Sequence, residues 1–357
     1  MRARSPDLVA TVLGEPARLL QLGLPEWDLL VRQARSADLL ARIAALLDKR
    51  ALLDRVPAGP RAALIAAQIL ATAQQDEVRR EVAHVSEALR SLAVPIVLLK
   101  GAAYLMAGLP AALGRTFTDV DVLVPRDRLA EIEAALMLAG WATTHGSEYD
   151  QSYYRRWMHE LPPMQHIRRQ TVLDVHHAIL PGTARLKPES SNLFAAAQPL
   201  QAVAGVHVLA LADIVLHSMS HLFHNDDLSH GLRDLSDLDL LLRHFGASAG
   251  FWEQLVERAQ ELDLIRPLYY GLHQAQRVLC TPVPALTLQI SERFAPVWPL
   301  RIAMDWLWSG ALRTPHASTA TPMNAVGSFA LYVRAHWLRM PPWLLARHLF
   351  IKAAARR

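Results

Sequence analysis

Two neighbouring stretches decide the reading: Val97-Leu98-Leu99-Lys100-Gly101 and Thr118-Asp119-Val120-Asp121-Val122-Leu123-Val124. The first is an apolar run that breaks at a glycine, as a buried strand does where its backbone turns sharply into a helix. The second is equally apolar but carries two carboxylates at i and i+2. Side chains on a strand repeat every two residues, so Asp119 and Asp121 point to the same side. Like charges on one face of a buried strand repel, and the pattern is tolerable mainly where a cation neutralises them. Carboxylate oxygens so placed suit Mg2+.

Outward from this pair, the pattern predicts a strand over Val94 to Leu99, a short helix over Gly101 to Gly108, and a loop, Pro110 to Thr116, that delivers Arg115 just before Asp119. Leu129, Ile132 and Leu136 give the next helix one apolar face, ended by Gly140. Trp141 to Thr144 reads as a strand, and Met164 to Arg168 with Thr171 to His177 as an antiparallel hairpin. Alternation puts Val172, Asp174 and His176 on one face. Asp174 is the natural third carboxylate if this strand lies antiparallel to the Asp-x-Asp strand.

Before this core, Trp27 to Ala34, Ala37 to Leu53 and Pro60 to Leu92 carry apolar residues at helical spacing, with Val78, Val82, Val85, Leu89 and Leu92 as one stripe. After it, Pro181 to Val206 reads as a linker or cover segment, and helices return from Leu209. The expected class is α+β, with a small mixed sheet flanked by helices. Three regions are expected: 1–93, helical; 94–206, the core; and 207–357, helical.

A chain of 357 residues, 52% hydrophobic, is long enough for more than one core, and its net charge of +4 is too modest to demand nucleic acid. A single cysteine, Cys280, excludes an intramolecular disulfide and fits a reducing cytoplasm; its apolar neighbours suggest a buried thiol. Met1 to Asp7 lacks the apolar core of a signal peptide. Leu92 to Leu113 is interrupted by Pro95, Lys100 and Gly101, so no transmembrane segment is expected. Phosphate-loop, dinucleotide, serine-hydrolase and paired Cys-x-x-Cys motifs are absent.

A glycine-ended strand, a short helix and Asp-x-Asp on the next strand resemble the core of the DNA polymerase beta-like nucleotidyltransferase superfamily. Leu99-Lys100-Gly101-Ala102-Ala103, Arg115, Asp119 to Val124, Asp174-Val175-His176 and the Arg233 to Leu238 stretch are together similar to a bacterial nucleotidyltransferase family of largely unassigned substrate. The resemblance runs from about residue 60 to about residue 285. It implies transfer of a nucleoside monophosphate from a nucleotide triphosphate such as ATP, with Asp119 and Asp121 bridging two Mg2+ ions. Asp174 would bind the ion that holds the acceptor and take the acceptor's proton. Lys100, Gly101, Arg115 and His176 would serve the nucleotide. Ala102 and Ala103 replace the glycine or serine usual in the superfamily, leaving phosphate binding to backbone N–H groups and nearby cations.

Duller readings stand beside these. Asp174 could pair with Arg168 or Arg169, Lys100 could face solvent, Arg115 could hold its loop by an ion pair, and His176 could contact a phosphate, orient Asp174 or simply end a strand. His217 and His221 lie one helical turn apart without the glutamate of a metalloprotease helix. Arg233 and Asp237 are spaced to pair on an amphipathic helix that closes the cleft. The acceptor, whether small molecule, protein or RNA, is unreadable. The alternative function is a catalytically inactive nucleotide sensor or partner-binding accessory protein. In the basic, aromatic stretch from Leu331 to Arg357, packing on the helical domain is expected ahead of RNA or membrane-surface contact, with Pro341-Pro342 splitting it into two helices.

Overall fold

A computed structural model describes residues 7–144, 157–341 and 345. Seven strands form one mixed sheet: β1 (Ile96–Leu98), β2 (Asp119–Leu123), β3 (Trp141–Thr143), β4 (Met164–His166), β5 (Val172–His176), β6 (Gln198–Pro199) and β7 (Val206–Val208), in the order β3-β4-β5-β2-β1-β7-β6. The α+β class expected from the sequence is the one observed. The segment from Pro181 to Val206 is more than a linker, however. It contains a helix, Ser190–Ala196, and leads into β7, which pairs parallel with β1.

Pairing within the sheet decides where the carboxylates meet. β1 and β2 are antiparallel, with Leu98 opposite Val122. β2 and β5 are parallel, with Asp121 opposite Asp174, so the antiparallel neighbour expected from the sequence is corrected. The reason is the crossover: helix Leu129–Leu138 carries the chain from β2 to the sheet edge, and two antiparallel steps, β3 to β4 and β4 to β5, then restore the direction of β2.

Among the described residues four α-helices precede the sheet: α1 (Leu8–Gly14), α2 (Leu24–Ser36), α3 (Leu40–Asp48) and α4 (Ala58–Leu89). The Val78, Val82, Val85 and Leu89 stripe of α4 is buried, and α4 packs on β2 and on the helix after β1, while Leu92 is only half-buried. Hydrophobic burial of such a stripe, rather than helix propensity, fixes a helix of this length in place.

The C-terminal half stacks α8 (Leu211–His224), α9 (Gly231–Phe245), α10 (Phe251–Glu261) and α11 (Ile265–Leu279), numbering α5 as Lys100–Met106, α6 as Leu129–Leu138 and α7 as Ser190–Ala196. Helix α9 buries Ser236, Asp237 and Asp239 as well as Leu232, Leu235, Leu238, Leu241 and Leu242. Cys280 ends α11 at φ +53° and is exposed, not buried as its apolar neighbours suggested; the left-handed cap turns it away from the core. Helix Pro322–Arg339 packs on helix Trp298–Ala311, which buries Trp308 against Phe223. Arg334, half-buried, stacks over Tyr270 and Trp308 and donates to the Phe223 carbonyl, so this basic residue is held against the helical packing. The expected second helix after Pro342 lies outside the described residues. Among the described residues no helix is long and apolar enough to cross a membrane.

Candidate active site

The site forms where the C-terminal end of β1, the face of β2 and the face of β5 converge under α8 and α9. Leu99 N–H donates to the Asp121 carbonyl, which brings the end of β1 level with the second carboxylate. The sharp turn expected at Gly101 falls one residue earlier. Lys100 itself adopts φ +45° as the first residue of α5, and its Nζ lies 2.7 Å from Asp121 Oδ1 rather than in solvent. A non-glycine residue held in this region carries backbone strain that the surrounding packing must offset.

Gly101 serves another purpose. A Cβ there would sit 2.8 Å from the Arg115 guanidinium carbon and 3.0 Å from the Phe117 ring. Its bare backbone is therefore the floor on which Arg115 lies. Ala102 and Ala103 are buried in the core, 2% exposed each, and do not line the cavity.

Asp119, Asp121 and Asp174 share one face. Asp121 is buried; burial alone would raise its pKa, but the Lys100 ammonium and a 2.9 Å hydrogen bond from His176 Nε2 overcome this and hold the carboxyl well below its usual range. Asp174 has no such help. Burial and the nearby Asp121 push it up to about 7, and its Oδ1 is buried without a hydrogen-bond partner among the described residues. Burial and Asp121 also raise Asp119. Of the two rival partners of Asp174, Arg169 is committed to Glu81 on α4 at 2.7 and 3.0 Å, and among the described residues no ion pair joins Asp174 to Arg168. His176 orients Asp121, not Asp174 as one sequence reading had it. Three carboxylates on one face, two of them raised by burial and then by Asp121, and one of these with an orphaned oxygen, fit a hard divalent cation such as Mg2+.

This gives a pH dependence. Asp174 keeps its proton below about pH 7 in the metal-free protein, and a bound divalent cation must displace it. The rise in melting temperature produced by Mg2+ should therefore be small at pH 6, grow as the pH passes through 7 and level off above it. In the metal-free protein the sign is opposite: the proton that stabilises the folded form is lost as the pH rises from the ordinary carboxyl value through the folded one, so Asp174 contributes less stability at pH 8 than at pH 5. Thermal unfolding with Mg2+ and with chelator across this range, on wild type and Asp174→Asn, measures both; a Mg2+ effect independent of pH would contradict the assignment.

Arg115 is both predicted phosphate contact and structural cation. Its Nε donates to Asp237 Oδ2 on α9 at 2.9 Å, and its guanidinium also lines the cavity shared with Lys100, Asp119 and Asp121. Asp237 takes a second cation that sequence reasoning missed: Arg42 of α3, fully buried, with Nη1 2.6 Å from Asp237 Oδ1. Arg42 also bonds Ser236 Oγ and the carbonyls of Ala111 and Leu113, so it fastens the loop that presents Arg115. The signal was a single arginine within the apolar run Leu39-Leu40-Ala41-Arg42-Ile43-Ala44, whose charge needs a buried partner. The expected Arg233–Asp237 pair does not form: Asp237 is claimed from the other side, and Arg233 bonds its neighbour Asp234.

The cavity lined by Lys100, Arg115, Asp119, Asp121 and Asp237 has a volume of about 180 Å³, and Asp174 is not among its lining residues. A second of about 190 Å³ shares Lys100 with it and is lined by His176, His217 and His224. His217 and His224 are driven down to about 3 by burial, and so are neutral. Wider hollows of about 740 and 1050 Å³ lie elsewhere, but neither contains any of the three aspartates.

A strand ending in a cation, a neighbouring Asp-x-Asp strand and a third in-register aspartate thus lie together in a mixed sheet capped by helices. The family described as uncharacterised nucleotidyltransferase matches residues 24–280, and the chain belongs to it. That membership supports nucleotidyl transfer in general terms. No curated protein and no solved structure matches the chain.

Proposed function

We propose that the protein is an Mg2+-dependent nucleotidyltransferase that moves a nucleoside monophosphate from a nucleotide triphosphate to an acceptor hydroxyl. The observation that carries this reading is the in-register placement of Asp121 beside Asp174, with Asp119 on the same face and Lys100 at their edge. Mg2+ held by Asp119, Asp121 and Asp174 would neutralise the triphosphate and make the acceptor hydroxyl easier to deprotonate.

The chain's own residues divide the remaining work. Asp174, pushed up to about 7, is suited to receive the acceptor proton as the oxygen attacks the α-phosphorus and pyrophosphate departs. Lys100, at the edge of the carboxylates and lining the cavity, would be free to contact the triphosphate if Mg2+ were held by Asp121. Arg115, fixed by Asp237 and by the glycine beneath it, offers its remaining guanidinium edge to a phosphate oxygen. His176 keeps Asp121 in one orientation. The donor would be drawn from the cytoplasmic nucleotide pool.

Incubation of the protein, Mg2+ and each nucleotide triphosphate with cell extract, followed by mass spectrometry, is expected to reveal a component heavier by one nucleoside monophosphate, with release of pyrophosphate. Lack of any such product with all four nucleotides, together with nucleotide binding that survives chelation, would favour the sensor instead. The ion pair between Lys100 and Asp121 gives that second reading its footing, since an internal cation already stands against the carboxylate.

A further inference from the structure

We propose that His159, Glu160 and His176 form a transition-metal site, suited to Zn2+, beside the carboxylate site and separate from it. One donor atom from each of the three residues lies within 4.8 Å of the others. His159 and Glu160 sit just before Pro162-Pro163, where the extension of β4 is interrupted because proline offers no N–H to a ladder. Backbone bonds nevertheless hold the segment on β5: Leu161 N–H to Val175 O, His177 N–H to His159 O, and Glu160 bridging antiparallel to His176. Directly opposed residues share a face, so the pairing sets Glu160 beside the His176 imidazole.

The donor atoms themselves point to a ligand. His176 is 3% exposed, and its Nε2 is occupied by Asp121. Its Nδ1 is buried, 3.2 Å from Glu160 Oε2, yet not aligned for a hydrogen bond. His159 Nδ1 is likewise buried without a hydrogen-bond partner among the described residues. Two buried ring nitrogens without a hydrogen-bond partner among the described residues thus belong to one group with a carboxylate, a costly arrangement for polar atoms. With metal–ligand bonds of about 2 Å, tetrahedral donors stand roughly 3.3 Å apart. The His176–Glu160 spacing of 3.2 Å already matches, and a donor of His159 lies within 4.8 Å of both. Two imidazoles and one carboxylate favour Zn2+ over Mg2+ and leave a fourth position open to the His217-lined cavity.

The Asp121 carboxylate accepts the Nε2–H of His176, the outer-shell bond that turns a histidine's other nitrogen toward a metal. The same carboxylate faces the proposed Mg2+ position, so occupancy of one site would restrain a ligand of the other. The metal-binding claim does not depend on the transfer chemistry.

The full chain, stripped with chelator, is titrated with Co2+ as a coloured probe in the presence of excess Mg2+. One equivalent of Co2+ should bind with visible absorption and be displaced by Zn2+. His159→Ala and Glu160→Gln should each weaken it by roughly tenfold or more. Asp119→Asn should leave it unchanged. Loss of Co2+ binding in Asp119→Asn with retention in His159→Ala would place the ion at the carboxylates and overturn the proposal. So would the absence of stoichiometric binding in the folded wild type, which would leave His176 as an imidazolium bridging Asp121 and Glu160. Circular dichroism on each variant ensures that a lost site is not a lost fold, and Glu160→Gln, the closest isostere, carries the test if His159→Ala does not fold.

Discussion

Asp119→Asn is expected to lower Mg2+-dependent pyrophosphate release by roughly three powers of ten, equivalent to about 4 kcal/mol of transition-state stabilisation, while the protein remains folded. The two effects separate because Asp119 is a liability to the empty site: burial and Asp121 already raise its pKa. Replacing it with a neutral isostere removes repulsion, so the metal-free variant should melt no lower than wild type in the presence of chelator. With Mg2+ present, wild type should gain stability and the variant much less. A variant that releases pyrophosphate at the wild-type rate would remove Asp119 from the transfer chemistry.

Arg42→Ala is expected to destabilise the protein by about 3–5 kcal/mol, the usual cost of stripping one partner from a buried ion pair. Arg42 is 1% exposed and joins Asp237 and Ser236 of α9 to the carbonyls of Ala111 and Leu113. Without it Asp237 keeps only Arg115, and two loop carbonyls lose their donor. Denaturant unfolding measures the loss. Arg233→Ala, which removes a contact between sequence neighbours at the cavity, should cost far less. Equal effects from the two substitutions would contradict the central place given to Arg42. Because Asp237 also holds Arg115, the Arg42 variant should in addition bind nucleotide triphosphate more weakly under conditions where it is still folded.

The local pattern was legible because it depends on neighbours in the chain. Period-two alternation identified Asp119 with Asp121, and Asp174 with His176, as same-face pairs; the stripe of Val78, Val82, Val85 and Leu89 identified the buried side of a long helix. The turn was misplaced by one residue. A glycine is the cheapest residue at positive φ, and so drew the expectation, but the strained residue is Lys100, and the glycine is needed for what lies on top of it.

What the sequence determined by itself, then, was the class of fold, the order of its elements from α4 to β5 and the residue types available to bind a cation and a phosphate. Tertiary structure alone decided which of them meet. Strand direction and register turn on the crossover through α6, some fifty residues of chain whose path no local periodicity encodes, and that path made β2 and β5 parallel with Asp121 beside Asp174. The partner of Asp237 was equally beyond local reach. An i, i+4 spacing proposed Arg233, but Arg42 arrives from a helix 195 residues earlier, because a carboxylate shut away from water is held by whichever cations the packed core brings to it.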